Sequence, residues 1–302
     1  MTSKIKVKTD NYCATVTKNK KRLMKTVLIT GTSSGIGKAA VKQFQKNGWQ
    51  VAATMRKPEN ETELSQLENV KLYALDVTSN ESVKNAIQST INDFGGLDVI
   101  VNNAGYGLAG PFETATEEQI ARQYDTNLFG VMRVIREALP HFRAQKAGMF
   151  INITSIGGLI TLPFNSLYHG TKWALEGFTE SLAYEVEPLG IKVRLVEPGG
   201  VRTDFAGRSL VMTMDPTEQN AYSETLQKTL KVFMDPSRQD SYSSGEQIAE
   251  VIYEAATSES NQLRFIAGED AKEFWAGRQS MKVEDFNNMI KDNLGLGKEV
   301  EA

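Results

Sequence analysis

Apolar and polar positions alternate along residues 25–268 in two repeating patterns. Short runs rich in Val, Ile and Leu predict strands, and longer stretches whose apolar residues recur at helical spacing follow them. The strands are predicted at residues 26–30, 50–55, 71–77, 97–103, 148–155, 191–200 and 263–268. Because these runs are almost continuously apolar, both faces of the sheet should be covered by helices.

Helices are predicted between these strands, at residues 81–94, 116–144, 167–189 and 245–258, with a first helix that begins near Gly37 and ends at Asn47-Gly48. Two short helices are predicted to finish the chain. Strands joined by right-handed helical crossovers form a doubly wound sheet. The pattern therefore predicts a single α/β domain of the Rossmann type over residues 25–302. It should have about seven parallel strands in the order 3-2-1-4-5-6-7 and helices on both faces.

Residues 201–244 break this rhythm, with Pro216, Pro236 and a mixture of Ser, Met and Gln. A segment of this length between sheet elements is usually a functional lid or a disordered loop. We predict a lid over a substrate.

The composition is that of an ordinary globular protein, with 40% hydrophobic and 24% charged residues among 302. No apolar run approaches the roughly 20 residues that a membrane helix needs. Cys13 is the single cysteine, so an internal disulfide is excluded. These features predict a cytoplasmic protein without membrane insertion.

The charge is unevenly distributed, with +7 in residues 1–25 and −10 in the remainder. Residues 1–24 are interpreted as a basic, disordered extension or as a leader upstream of a working start at Met24. A tail that binds nucleic acid or a membrane surface is the alternative. The extension lacks the apolar segment of a secretory signal. The negative remainder argues against a nucleic-acid partner.

A glycine-rich turn, "TGTSSGIG", follows the first strand and opens the first helix. Its glycines let the backbone approach a pyrophosphate, and the helix N-terminus offers free N–H groups and a partial positive charge. A plain structural turn is the alternative. The predicted cofactor-binding residues here are Gly31, Thr32, Ser33, Ser34, Gly35, Ile36 and Gly37.

The second strand ends in Met55, Arg56 and Lys57, where an NAD site usually carries an acidic residue. A guanidinium suits a 2′-phosphate by charge and by bidentate geometry, so the sequence predicts NADP(H) over NAD(H). An exposed basic loop is the alternative. After the third strand, Asp76 could accept a hydrogen bond from an adenine amino group beside Val77, or it could cap a helix.

Further polar or small residues follow later strands. Asn103, Ala104 and Gly105 would let a cofactor lie against the backbone, and Ser155 follows the fifth strand. Tyr168 and Lys172, four positions apart, share one face of a predicted helix. On that spacing alone, they could equally be a structural pair.

Together, these motifs resemble those of the short-chain dehydrogenase/reductase family over residues 25–268. The shared motifs are "TGTSSGIG", "NNAG", Asn127 in "DTNLFG", Ser155 thirteen positions before Tyr168, the Tyr168-x-x-x-Lys172 pair and "PGGVRT". Each is a weak signal alone, whereas six in the right order at the right strand ends are specific. The C-terminal "LRFIAGEDA" is similar to the 17β-hydroxysteroid dehydrogenase-like branch.

The resemblance implies a role for each matching residue. Tyr168 would be the general acid/base, Lys172 would favour its phenolate and hold the nicotinamide ribose, and Ser155 would bind the substrate oxygen. Asn127 would position a water that links Lys172 to solvent. Thr203 and the Val201 backbone would bind the carboxamide, and Pro198 and Gly199 would also contact the cofactor. No metal is needed, because the cofactor carries the hydride.

The resemblance also implies an oxidoreductase for CH–OH and C=O groups, which forms a homodimer or homotetramer through its two long helices. We interpret His169 and His141 as structural. Tyr106 and Ile156, with an apolar, Met-rich surrounding, predict a lipophilic alcohol or ketone as substrate. That surrounding is predicted to comprise Leu108, Leu159, Ile160, Phe164, Met212, Met214, Tyr222, Phe233 and Met234. The alternative function is a catalytically weak, NADP(H)-sensing regulator on the same fold.

Overall fold

In the computed structural model, which describes residues 24–202, 209–235, 237 and 241–296, seven parallel strands form one central sheet. The strands are β1 (Thr26–Thr30), β2 (Gln50–Met55), β3 (Val70–Ala74), β4 (Val99–Asn102), β5 (Gly148–Ile153), β6 (Ile191–Pro198) and β7 (Arg264–Ala267). Their order across the sheet is β3-β2-β1-β4-β5-β6-β7. The predicted sheet topology is therefore confirmed.

Helices cover both faces of this sheet. They are α1 (Gly35–Lys46), α2 (Asn80–Phe94), α3 (Glu117–Tyr124), α4 (Gly130–Gln145), α5 (Ser166–Val186), α6 (Ser223–Phe233), α7 (Gly245–Thr257), α8 (Glu269–Ser280) and α9 (Val283–Asn293). Helices α1 and α7 pack together on one face, while residues of α2, α4 and α5 form the core on the other.

The first strand shows why continuous apolar runs predicted a sheet buried on both faces. Val27 and Ile29 belong to the core under α1 and α7, where Phe44 also packs. Leu28 between them belongs to the opposite core, with Leu175 of α5. Successive side chains of a strand point to opposite faces, so a strand between two cores needs apolar residues at every position.

The predicted helix over residues 116–144 is present from Glu117 to Gln145, but it is not α-helical throughout. It is divided into α3 and α4 by a π-helical turn, Asp125–Phe129. Asn127, inside this turn, accepts a hydrogen bond from the Tyr106 amide at 3.0 Å and donates one to the Tyr106 carbonyl at 2.8 Å. These bonds join the helix to the segment after β4, and such local changes of helix type often occur at functional sites.

The segment predicted as a lid contains regular structure in its described part. Residues 210–212 pair with 107–109, residues 201–202 pair with 243–244, and α6 buries Leu226. The prediction of a loop missed this helix. Residues 203–208, which include Thr203, and the extension over residues 1–23 lie outside the described residues.

Two further features of the described ranges concern membranes and metals. No helix there is both long and apolar enough to cross a membrane. The same ranges contain no group of three or more His, Cys, Asp and Glu side chains arranged to hold a metal ion.

Candidate active site

A cleft of about 1450 Å³ opens at the carboxyl ends of strands β1 to β6. This is the edge at which a doubly wound parallel sheet binds its ligands. Segments that follow six different strands line it, and they include most of the residues predicted as a site. Those brought together in the cleft wall are Gly31, Ser33, Ser34, Gly35, Ile36, Gly37, Arg56, Asp76, Val77, Asn103, Ala104, Gly105, Tyr106, Ser155, Ile156, Tyr168, Lys172, Pro198, Gly199 and Val201.

The glycine-rich turn is packed so closely that larger side chains do not fit. A Cβ on Gly37 would lie 2.3 Å from the Gly31 carbonyl oxygen and 2.5 Å from the Asn103 side-chain nitrogen. Gly31 has φ +71°, and a Cβ there would lie 2.9 Å from the Ala104 Cα. Within the described residues, the Ser34 side chain makes no capping bond to α1, and the first turn carries no acidic residue. The helix N-terminus is therefore suited to an anionic group.

Arg56 and Asp76 follow β2 and β3, which lie three and four strands across the sheet from β5, the strand that precedes Ser155. Burial works against the charged form of Asp76, but hydrogen bonds from Thr78 and the nearby Arg56 and Arg122 guanidiniums hold its pKa below the ordinary value. The Asp76 carboxylate accepts from the Thr78 amide at 2.9 Å and from its hydroxyl at 2.7 Å. This end of the cleft thus combines a fixed carboxylate, two guanidiniums and the apolar Val77.

Tyr168 and Ser155 meet at the opposite end. Burial raises the pKa of the Tyr168 phenol, and a hydrogen bond with Ser155 opposes this rise. The Ser155 hydroxyl oxygen also accepts a hydrogen bond from the Gly157 amide at 3.0 Å, which orients it. Two hydroxyl groups are therefore placed side by side in the cleft wall.

Lys172 lies one helical turn beyond Tyr168, and its side chain is buried. Its Nζ is 5.7 Å from the centre of the Tyr168 ring and donates to the Ile153 carbonyl at 2.9 Å. Burial lowers the pKa of Lys172 to about 8, although the neighbouring Glu176 carboxylate opposes the change. At neutral pH the ammonium is still charged, and a positive charge beside a phenol favours the phenolate.

Two predicted site residues lie behind the cleft wall. Asn127 is 1% exposed, and its side chain hydrogen-bonds the Tyr106 backbone. Its amide nitrogen also donates to the Thr171 hydroxyl at 3.4 Å. Thr32 is fully buried, and both its amide and its hydroxyl donate to the Thr54 carbonyl. In this structure both residues shape the segments that form the wall.

The residues present fit a nicotinamide dinucleotide. The glycine cradle leaves space that a Cβ would fill, α1 presents its N-terminus there, and the ammonium of Lys172 is held at the other end. A long cleft with one end for a phosphate-rich nucleotide and one end for chemistry matches the two halves of such a cofactor.

Comparison with known proteins decides the family. The family model described as short chain dehydrogenase matches residues 25–212. The chain belongs to the short-chain dehydrogenase family. It is an oxidoreductase whose Rossmann fold binds a nicotinamide dinucleotide.

Three curated relatives of this short-chain dehydrogenase are informative. An uncharacterized oxidoreductase of Schizosaccharomyces pombe is 40% identical over 80% of this chain and 100% of its own. A 3-ketodihydrosphingosine reductase of Bacteroides thetaiotaomicron is 39% identical over 68% of this chain and 74% of its own. Human retinol dehydrogenase 8 is 40% identical over 62% of each chain.

Solved structures show the same fold. A short-chain dehydrogenase from Streptomyces avermitilis has 31% identity and a TM-score of 0.76, covering 92% of this chain and 100% of its own. The structure of ElxO with NADP bound has 29% identity and a TM-score of 0.69, covering 83% of this chain and 100% of that one.

The C-terminal helices of this short-chain dehydrogenase form a wall that the sequence analysis did not assign. Phe274 and Gly277 of α8, Met281 after it, and Met289 and Asn293 of α9 all line the cleft. Residues 274, 277 and 281 are three and four apart, and 289 and 293 are four apart. This helical spacing is the sequence signal from which the wall could have been predicted.

A carboxylate of α8 ties this wall to the turn after β6. Asp270 Oδ2 accepts a hydrogen bond from the Gly200 amide at 2.6 Å, and a Cβ on Gly199 would lie 2.3 Å from Asp270 Oδ1. This wall of the cleft is therefore joined to a turn that is predicted to contact the cofactor. The sequence contains no local pattern that pairs residues this far apart.

The predicted apolar surrounding is only partly correct. Phe233 lines the cleft with Tyr106 and Ile156, but Leu108, Leu159 and Ile160 are buried in the protein core. Phe164 lines a separate, shallower pocket beside Trp173. The described lining of the main cleft does not include Met212, Met214, Tyr222 or Met234. The apolar character is instead supplied largely by the C-terminal helices.

His169 also reaches the cleft but is engaged by the backbone. Its Nδ1 accepts a hydrogen bond from the Leu162 amide at 3.2 Å. Burial lowers the pKa of His169 to about 4, so the imidazole is neutral at pH 7. A neutral, hydrogen-bonded ring agrees with the structural interpretation of this residue.

Proposed function

We propose that this protein is an NADP(H)-dependent oxidoreductase that interconverts a lipophilic secondary alcohol and its ketone. The observation that carries the proposal is the convergence of Tyr168, Ser155 and Lys172 on the cleft that also contains the glycine turn. A proton donor, an oxygen-binding hydroxyl and a charged ammonium are the groups that carbonyl reduction requires from a protein.

The nicotinamide, when bound, supplies or accepts the hydride. In reduction, Tyr168 gives its phenolic proton to the oxygen of the substrate, and in oxidation it takes that proton back. Ser155 donates a hydrogen bond to the same oxygen as negative charge develops on it. Lys172 stabilises the phenolate left on Tyr168. Asn127 holds the segment around Tyr106 through its two backbone bonds, and we propose that it also positions a water near Lys172.

This mechanism is tested by following NADPH absorbance with a panel of ketones, in the wild type and in Tyr168→Phe. Removal of one hydroxyl should reduce kcat at least about 100-fold, because general acid catalysis contributes that much or more. Tyr184→Phe is the matched control, since Tyr184 lies on the same helix and is 83% exposed. Equal turnover by Tyr168→Phe and wild type would contradict the mechanism.

NADP(H) is proposed as the cofactor because Arg56 lines the nucleotide end of the cleft. Loss of a charge-assisted hydrogen bond of about 1.5–3 kcal/mol should raise the KM for NADPH roughly tenfold or more in Arg56→Ala. The KM for NADH should hardly change. Lys57→Ala is the control, because Lys57 is adjacent and exposed but does not line the cleft. An unchanged ratio of the two KM values in Arg56→Ala would contradict the assignment.

A lipophilic substrate is supported by the wall that Phe274, Met281 and Met289 form with Ile156 and Phe233. The names of two relatives, a 3-ketodihydrosphingosine reductase and a retinol dehydrogenase, refer to lipophilic molecules. A panel should therefore include long-chain, retinoid-like and steroid ketones; the steroid also tests the proposed 17β-hydroxysteroid dehydrogenase-like branch. Turnover of small polar sugars alone would contradict the proposal.

A catalytically weak NADP(H) sensor is the second candidate. It would bind NADPH tightly and turn over no ketone of the panel, and Tyr168→Phe would leave its behaviour unchanged. The hydrogen bond between Tyr168 and Ser155 in the cleft wall favours the enzyme, because a sensor has no need for this pair.

A further inference from the structure

The face of α5 that carries the proposed catalytic pair continues for one more turn. Tyr168, Lys172 and Glu176 follow one another at intervals of four, so they are stacked along a single helix face. Glu176 is 4% exposed and Lys172 is 7% exposed. A buried carboxylate thus lies directly behind the buried ammonium.

Glu176 is held in place from two other elements. Its carboxylate pairs with the Arg264 guanidinium of β7. On the opposite side, a Cβ on Gly158 would lie 2.9 Å from Glu176 Cγ, so the side chain packs directly against that glycine backbone. The Thr154 hydroxyl, which donates to the Val196 carbonyl at 3.2 Å, lies near the carboxylate and favours its charged form. Glu176 therefore has little freedom to turn away from Lys172.

Arg264 is shared with two more carboxyl groups. Its Nη2 lies 3.1 Å from Glu180 Oε1, and its Nη1 lies 3.3 Å from Glu197 Oε1. Glu197 is fully buried in β6, and its other oxygen accepts from the Phe265 amide at 3.0 Å. Glu180 is half exposed at the surface.

Burial raises the pKa of both buried carboxyl groups, Glu176 and Glu197. Burial and the neighbouring Glu176 raise the pKa of Glu197 to about 8, although Arg264 opposes the rise. Glu197 is therefore mostly neutral at pH 7. Arg264 is always charged, and its direct ion pair with Glu176 favours the negative form of that carboxyl group, against the rise in pKa that burial causes. The charge order along this line is Lys172 positive, Glu176 negative and Arg264 positive.

We propose that Glu176 is a positioning residue that supplies a fixed negative charge behind Lys172 and so keeps its ammonium protonated in a buried site. The proposal rests on the role given to Lys172 in the proposed function. Arg264 anchors this charge, because an unpaired carboxylate at this depth would take up a proton instead.

The groups that face the two residues support this assignment. Lys172 faces the Tyr168 ring and the Ile153 carbonyl, with neutral His169 on the same helix. Glu176 faces Thr154, Arg264 and Lys172, with Glu197 beyond the guanidinium. Glu176 is the charged group whose field raises the pKa of Lys172, against the lowering by burial.

The test measures the protonation of Lys172 directly in the full-length, cofactor-free protein. Lysine labelled with ¹³C at Cε is followed by NMR from pH 6 to 11, and the Lys172 signal is assigned by its loss in Lys172→Met. In Glu176→Gln, the midpoint of Lys172 should fall by about one pH unit or more, the effect of a nearby opposite charge. Glu180→Gln is the matched control and should leave it unchanged. Glu176→Asp keeps the charge, so the Lys172 midpoint in this variant should lie close to that of the wild type.

Kinetics provide a second readout. The alkaline limb of kcat/KM for ketone reduction should move down in pH by the same amount in Glu176→Gln. An NMR shift without this kinetic shift would support the charge coupling and contradict the catalytic use of Lys172. A Lys172 midpoint in Glu176→Gln equal to that of the wild type would overturn the inference.

Glu176→Gln removes one buried carboxylate partner of Arg264, so its folding needs a second variant as a check. The double variant Glu176→Gln/Arg264→Gln removes both charges, a replacement that buried ion pairs tolerate better than loss of one partner. It should show the same downward shift of the Lys172 midpoint. Retention of the wild-type midpoint in the folded double variant would also overturn the inference.

Discussion

Replacement of Lys172 by methionine should stabilise the cofactor-free protein while it abolishes ketone reduction. Methionine has a similar length and no charge, so it removes the desolvation penalty of the buried ammonium. Burial lowers the pKa of Lys172 from the ordinary 10.5 to about 8. The difference of about 2.5 pH units corresponds to about 3 kcal/mol of destabilisation when the group is charged in both states.

The protonation of Lys172 in the folded and unfolded chains determines how the stability difference between the two proteins changes with pH. Below pH 8 the lysine is charged in the folded and the unfolded chain, and the folded state bears the full penalty. Above pH 10.5 it is neutral in both states, and the penalty is gone. Relative to Lys172→Met, the free energy of unfolding of the wild type should therefore rise between pH 8 and 10.5. As the pH falls back from 10.5 to 8, this gain in stability should be lost.

Urea denaturation of both proteins at pH 7 and pH 10 measures the effect. The stability advantage of Lys172→Met should be about 2.5 kcal/mol larger at pH 7 than at pH 10. The hydrogen bond from Lys172 to the Ile153 carbonyl is lost at both pH values, so it cancels in the comparison. An advantage that is equal at the two pH values would refute the reasoning, since burial of the charge would then carry no cost.

Three further predictions concern other parts of the molecule. Gly37→Ala should raise the KM for NADPH and cost about 1–3 kcal/mol of stability, because its Cβ would meet the Gly31 carbonyl; Gly177→Ala, in open space on α5, should be neutral or stabilising in the same urea assay. Met289→Ala should lower kcat/KM about tenfold for long apolar ketones and leave short ones unchanged, as a lost apolar contact would. Tyr184→Lys should reduce the mass measured by light scattering from that of a homo-oligomer to that of a monomer, because Tyr184 is 83% exposed on a helix predicted to pair between subunits.

Each of the three has a result that would contradict it. A Gly37→Ala protein with wild-type stability and KM would show that the turn adjusts to a methyl group. Equal losses on long and short ketones in Met289→Ala would place that residue away from the substrate chain. A wild-type protein that is already monomeric would remove the basis for the third prediction.

The sheet could be predicted from the sequence because its information is local. Residues 26–30 and 50–55 carry unbroken apolar runs, and a strand between two helical layers requires that pattern. The π-helical turn at Asp125–Phe129 could not be predicted in this way, because its residues suit an ordinary helix. It depends on the bonds that Asn127 makes with Tyr106, 21 positions away.

The site residues also fall into two groups, those recognisable from local sequence and those that depend on tertiary packing. The glycine turn and the pair Tyr168 and Lys172 are recognisable because their geometry follows from spacing within one turn of chain. Apolar residue type, by contrast, does not say which side a residue faces. Leu159 and Ile160 were therefore predicted in the substrate wall and are in the core, while Met289 was missed.

The sequence by itself determined the order of strands and helices, the cradle for a dinucleotide, and the placement of Tyr168 above Lys172. The same interval of four places Glu176 behind that lysine, but only the tertiary structure decided how this carboxylate is held. Arg264 pairs with Glu176 across 88 positions and with Glu197 across 67. Burial raises the pKa of both carboxyl groups, and Arg264 opposes the rise. Contacts and desolvation of this kind arise only when distant segments pack together, so no local pattern encodes them.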